Sequence, residues 1–163
     1  KNTLFLLETY KTLLKDDPKN DIVLIWNPSP EVRHQYDTKM FSKRIHFIAY
    51  QSDQNLRDLY RGATALVFPS LYEGFGLPIL EAMSCGTPVI TSEVTSLPEI
   101  GGDAPIYIDP TDTGSLLSAL RSFENQEIDF ETIRGRSVKQ AEKFSWEKCA
   151  METLEVYEHC LAR

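Results

Sequence analysis

Glu73 and Glu81 stand eight residues apart on either side of a Gly-Phe-Gly-Leu-Pro turn, in the stretch "LYEGFGLPILEAMSCGTPVIT". Ionised carboxylates only accept hydrogen bonds, and vicinal hydroxyls are good donors to them. Gly74 and Gly76 allow backbone conformations that bring main-chain amides close to a ligand. Pro78 fits the first turn of a helix, where its missing N–H costs nothing. The first N–H groups of that helix have no partners within it and carry the positive end of the dipole, so they can receive an anion, above all a phosphate. A ligand with hydroxyls on both flanks of a diphosphate matches this arrangement, with a sugar at Glu73 and a ribose at Glu81. By spacing alone, a loop charge and an exposed helix residue would look the same.

Other chemistries fit the sequence less well. "GFGLPI" opens like a dinucleotide fingerprint, but Ile79 occupies the third glycine position, and no G-x-x-x-x-G-K-[ST] loop exists. No His or Asp joins the two glutamates, and no Asp-x-Asp pair is present to hold a divalent ion on a diphosphate, so no metal site is expected. Cys85, Cys149 and Cys160 lack metal-ligand spacing and read as reduced thiols. Cys85 reads as a small buried residue, His46 as a strand-face residue, and His34 and His159 as solvated surface.

The elements that must position the turn follow from periodicity. Residues 2–14 place apolar side chains near a 3.6-residue period and predict a helix. "DIVLIW", "RIHFIAY", "ATALVF", "TPVIT" and "APIYI" predict five short strands. "NPSPE" reads as turn chemistry. Ser52 or Asp53 can cap a helix running to Tyr60, and a helix over residues 77–84 ends at Gly86. Asp112 or Thr113 caps another helix, and helical stretches near residues 130–143 and 146–162 close the chain, with Phe144 and Trp146 as anchors of the last. Strands alternating with helices predict an α/β fold, a Rossmann-like parallel sheet with helices on both faces. In such a sheet ligands bind beyond the carboxyl ends of the strands, and the loop from Pro69 to Gly76 lies there.

At 163 residues the chain, residues 1–163, is expected to form a single domain. A formal net charge of -7 supplies no basic stripe, so no nucleic-acid partner is expected, and it disfavours docking on an anionic membrane. No apolar run approaches the roughly 20 residues that span a bilayer, and a cytoplasmic location is expected. The chain opens on "KNTLFLLETY" without a starting Met and reads as a piece of something longer.

"FPSLYEGFGLPILEAMSCGTPVITS" followed by "SLPEIGGDAPIYIDP" closely resembles the C-terminal, donor-binding half of family-4 (group 1) glycosyltransferases, retaining enzymes of the GT-B architecture. "RIHFIAYQSDQNLRDLYRGATALVFPS" and "KFSWEKCAMETLEVYEHCL" extend the resemblance over essentially the whole chain. The resemblance implies that Glu73 lies against the donor sugar and is the candidate catalytic side chain. It implies that Glu81 takes the ribose hydroxyls, and that Gly74, Phe75, Gly76 and Leu77 form the turn facing sugar and diphosphate. Lys1 matches a basic residue that neutralises the diphosphate, and Gln51 ends a loop edge near the base.

The implied co-substrate is a nucleotide-diphosphate sugar, with no cofactor. The implied reaction moves a hexose, mannose being suggested by "ITSEVTSLPEI", to a glycan or lipid-linked acceptor, as in bacterial lipopolysaccharide synthesis. The acceptor, and any peripheral membrane contact at the inner face, would belong to an N-terminal domain that this chain lacks, so the chain alone is expected to be inactive. The competing reading is a non-catalytic nucleotide-sugar-binding or scaffold domain; a related GT-B epimerase ranks last, because "EGFGLP" is not expected in it. The family also has a strand and an arginine before the position of Lys1. Without that strand the sheet is expected to carry a gap flanked by unpaired backbone groups. "LIWNPSPE" lacks the family's glycines, so the loop near the diphosphate is expected to differ.

Overall fold

The computed structural model describes residues 1–36 and 43–162. Its elements run α1 (Thr3–Leu13, extended by one 3-10 turn, Leu14–Asp16), β1 (Ile22–Ile25), α2 (Pro30–Tyr36), β2 (Ile45–Ile48), α3 (Asp53–Gly62) and β3 (Leu66–Phe68). They continue with α4 (Leu77–Ser84), β4 (Val89–Ser92), α5 (Leu97–Gly101), β5 (Ile106–Ile108), α6 (Thr113–Glu124), α7 (Phe130–Ala141) and α8 (Trp146–Leu161). Every strand pairing is parallel.

Strand β4 shows why the fold is layered. It lies between β3 and β5 and is buried along its whole length. Successive strand side chains point to opposite faces. Accordingly, Ile90 joins one core with Leu6, Leu7 and Leu13 of α1 and Leu116 and Phe123 of α6, whereas Val89 joins a second core with Ile79 and Met83 of α4, Leu97 and Ile100 of α5 and Ala141 of α7. Helices therefore cover both faces, which is what a parallel strand with apolar residues on each side requires.

The interruption expected in the sheet is present. The strands fall into two sheets, β1-β2 and β3-β4-β5. Between β1 and β3 lies a cleft of about 510 Å³, whose apolar walls include Leu24 and Val67 and whose floor includes Leu6 and Leu120. Val23 and Ile25 of β1, which also line it, are about half exposed. The cleft is tied at the amino end of its strands, where the Thr64 hydroxyl donates to Asn20 Oδ1 at 2.6 Å and Asn20 Nδ2 donates to Glu124 at 2.8 Å.

Three local expectations need correction. "NPSPE" is not only a turn, because Ser29 and Pro30 open α2, with the Val32 amide donating to Ser29 Oγ at 3.4 Å. "SLPEI" opens α5, which was not expected as a helix. Trp146 does not anchor α8: it is 76% exposed, and no residue of α8 is buried among the described residues. Phe144, partly buried against the second core, is the anchor at that junction.

Candidate functional site

The turn sits where the sheet's geometry requires. Strand β3 ends at Phe68, the loop passes over the carboxyl edge, and α4 begins at Leu77. Gly76, the residue before α4, takes φ +108°, a left-handed value that side chains disfavour. A Cβ there would lie 2.7 Å from Leu97 Cδ2. Pro78 occupies the first turn of α4. Among the described residues, the amides of Gly74, Phe75, Gly76 and Leu77 have no acceptor. The bend is open to solvent at Tyr72, Phe75 and Leu77, which are 76%, 42% and 45% exposed, whereas Gly76 is buried.

Each glutamate is held by a neighbour that no local pattern announces. The hydroxyl of Ser70, fully buried, donates to Glu73 Oε1 at 2.8 Å. The Tyr60 hydroxyl of α3 donates to Glu81 Oε2 at 3.1 Å. Burial pushes the Tyr60 pKa well up, and the negative charge and hydrogen bond of Glu81 push it further, so the phenol stays a donor at neutral pH. An ionised carboxylate has about four acceptor positions, so Glu81 keeps Oε1 for another donor. Glu81 lies four residues into α4, about 6 Å along its axis. Helix α3 that carries Tyr60 is capped as expected, by Ser52 Oγ accepting from the Asn55 amide at 3.3 Å.

The remaining predicted residues divide. The Lys1 ammonium stands 5.6 Å from the centroid of the Phe68 ring, at the carboxyl end of β3. The Phe75 ring meets Phe144 edge-on, centroids 6.1 Å apart. Gln51, after β2, bonds locally: it donates to the Ala49 carbonyl at 2.9 Å and accepts from Asn55 at 3.2 Å, with no hydrogen bond to the turn. His46 is at the other end of the strands, 2.8 Å from Asp21. No three His, Cys, Asp or Glu side chains among the described residues are grouped to hold a metal ion.

The loop from Glu93 to Ser96 embraces the turn from behind. The Glu73 amide donates to Thr95 Oγ1 at 3.2 Å, and the Ser96 hydroxyl reaches the carbonyls of Glu73 and Phe75 at 3.0 and 2.9 Å. No local spacing marks Thr95 and Ser96, which lie more than twenty positions from the residues they bond.

The sequence model of "Glycosyl transferases group 1" matches residues 1–144, most of the chain and all of this site. The chain belongs to that family. It is 45% identical over 113 residues to O-antigen chain mannosyltransferase B of Escherichia coli, an overlap of 69% of this chain and 30% of that protein. It is 30% identical to the serotype-specific mannosyltransferase WbdA of Escherichia coli over 99% of this chain and 20% of that protein. This group 1 glycosyltransferase chain thus spans less than a third of either relative. Among solved structures, sucrose-phosphate synthase from Thermosynechococcus elongatus superposes with a TM-score of 0.80 at 25% identity, covering 95% of this chain and 42% of that one. HepE of Anabaena in complex with UDP-glucose superposes at 0.68 and 20% identity, covering 79% and 36%. No helix among the described residues is long and apolar enough to cross a membrane.

Proposed function

We propose that this chain is the donor-holding half of a retaining hexosyltransferase that takes a nucleotide-diphosphate sugar, mannose being the favoured hexose. The observation that carries the reading is the turn at residues 74–77, exposed at Gly74, Phe75 and Leu77, whose amides lack acceptors among the described residues and whose flanks hold Glu73 and Glu81 by hydrogen bonds. Mannosyltransferases among its relatives favour mannose, and a fold neighbour solved with UDP-glucose favours a nucleotide sugar.

In this reading the diphosphate lies over the amides at the start of α4, the ribose diol donates to Glu81, and the sugar lies against Glu73. The bond from the anomeric carbon to the diphosphate breaks, its electron pair leaves with the phosphate, and the new bond forms on the same face to the oxygen of an acceptor hydroxyl, whose proton passes to the departing phosphate. Charge grows on the leaving phosphate and positive character on the sugar ring. Preorganised amides and the Lys1 ammonium stabilise that negative charge without reorganisation, the electrostatic form of catalysis. Glu73 faces the positive ring. The acceptor, glycan or lipid-linked, is held by a domain outside this sequence, at the cytoplasmic side of a membrane.

Calorimetric titration of the 163-residue chain with GDP-mannose, UDP-glucose and the free nucleosides, in buffer containing EDTA, tests this. The expected result is weak saturable binding of one nucleotide sugar without divalent ions, and no sugar transfer by the chain alone. A folded chain that binds neither sugar nucleotide at millimolar concentration contradicts it.

A further inference from the structure

A serine at the residue before a helix normally turns its hydroxyl inward, accepting from the amides of the first turn. Ser96 stands in that position before α5 and makes no such bond. Its hydroxyl is directed instead at the carbonyls of Glu73 and Phe75, at 3.0 and 2.9 Å, with its single hydrogen shared between them. The preceding residue also departs from local preference. Thr95 is β-branched yet takes φ +51°, a region that costs such residues about 1–2 kcal/mol. Glycine would sit there without strain but has no hydroxyl, and it is the Thr95 hydroxyl that accepts the Glu73 amide at 3.2 Å. Two consecutive residues thus give up local comfort for bonds to one distant turn, and strain of this kind collects at functional sites.

The consequence follows from the planar trans peptide. In each peptide unit the C=O and the next residue's N–H point in opposite directions. Holding the Glu73 carbonyl toward Ser96 therefore turns the Gly74 amide away from it, and holding the Phe75 carbonyl there turns the Gly76 amide away likewise. Thr95 meanwhile takes up the Glu73 amide. The turn would otherwise be free to rotate these planes, because Gly74 and Gly76 have the broadest conformational range of any residue.

We propose that Ser96 is a positioning residue for the donor's phosphates: its hydroxyl fixes two peptide planes so that the amides of Gly74 and Gly76 face the leaving group. This rests on the donor-binding reading above. Ser96 itself touches no substrate; it acts through the turn.

The test compares the wild-type chain with Ser96→Ala by calorimetry, using GDP, UDP and the matching nucleosides. Whichever diphosphate the wild type takes should bind the variant about tenfold or more weakly, the scale of one lost hydrogen bond to a charged group. Nucleoside affinity and the thermal midpoint should stay near wild type, a split that a merely structural role would not produce. If Ser96→Ala does not fold, Ser96→Cys replaces it, since its thiol is only a weak donor, and the same split is expected. Unchanged diphosphate affinity overturns the proposal, as does a parallel loss of diphosphate, nucleoside and thermal stability. A wild-type chain that binds neither diphosphate sinks the donor-binding reading itself, and this inference with it.

Discussion

Gly76→Val is expected to destabilise the chain by roughly 2–5 kcal/mol, the sum of forcing a side chain into left-handed backbone and overpacking a filled core. The backbone at Gly76 stands at φ +108°, and an added Cβ would approach Leu97 Cδ2 to 2.7 Å. A leucine methyl can often give way, but Leu97 is fully buried and packed with Ile79 and Ile100, so its displacement moves the second core. For a chain of this size the thermal midpoint should fall by roughly 4–20 °C. The change also swings the turn's amides, so nucleotide binding should be lost in whatever fraction stays folded. Circular-dichroism melts of the two chains read the first effect. A midpoint within about 1 °C of wild type would mean that the turn does not adopt this geometry in solution.

Glu81→Ala is expected to weaken nucleoside diphosphate binding by roughly 10- to 150-fold, since hydrogen bonds to a charged group contribute about 1.5–3 kcal/mol. Glu81 is exposed on α4 and, among the described residues, bonds through its side chain to Tyr60 alone, so its removal opens no core cavity. The matching 2′,3′-dideoxynucleoside diphosphate separates recognition from general damage. It should bind wild type as weakly as the ordinary nucleotide binds the variant, and the variant should not distinguish the two. A variant that still prefers the ribonucleotide would place the ribose elsewhere.

What could be read from the sequence divides along a physical line. Helix α4 was legible to its ends because Pro78 and Gly86 punctuate it, and the Ser52 and Asp112 caps were legible because a cap acts within three residues of itself. The turn and its two glutamates form one contiguous stretch, so they were legible too. Helices α2 and α5 were not. Each opens on Ser and Pro within a turn-like composition, and α5 has only five residues, held by burial of Leu97 and Ile100 that no local pattern announces. The second layer of the site was illegible for the same reason. Ser70, Tyr60, Thr95 and Ser96 are ordinary polar residues until the fold brings them to the glutamate turn. Three of the four act on residues twenty or more positions away. Trp146 shows the opposite error, in which aromatic character suggested burial and the chain around it provides none.

The central claim is that the amides at the start of α4 receive the phosphates of a nucleotide. The most direct measurement is a 15N-edited NMR titration of the uniformly labelled chain with GDP and UDP, with the free nucleosides as controls. The amide resonances of Gly74, Phe75 and Gly76 should move progressively with one of the diphosphates and remain still with its nucleoside. If those three resonances stay fixed while others move, for example those lining the cleft between β1 and β3, the phosphates are bound elsewhere and the account is wrong.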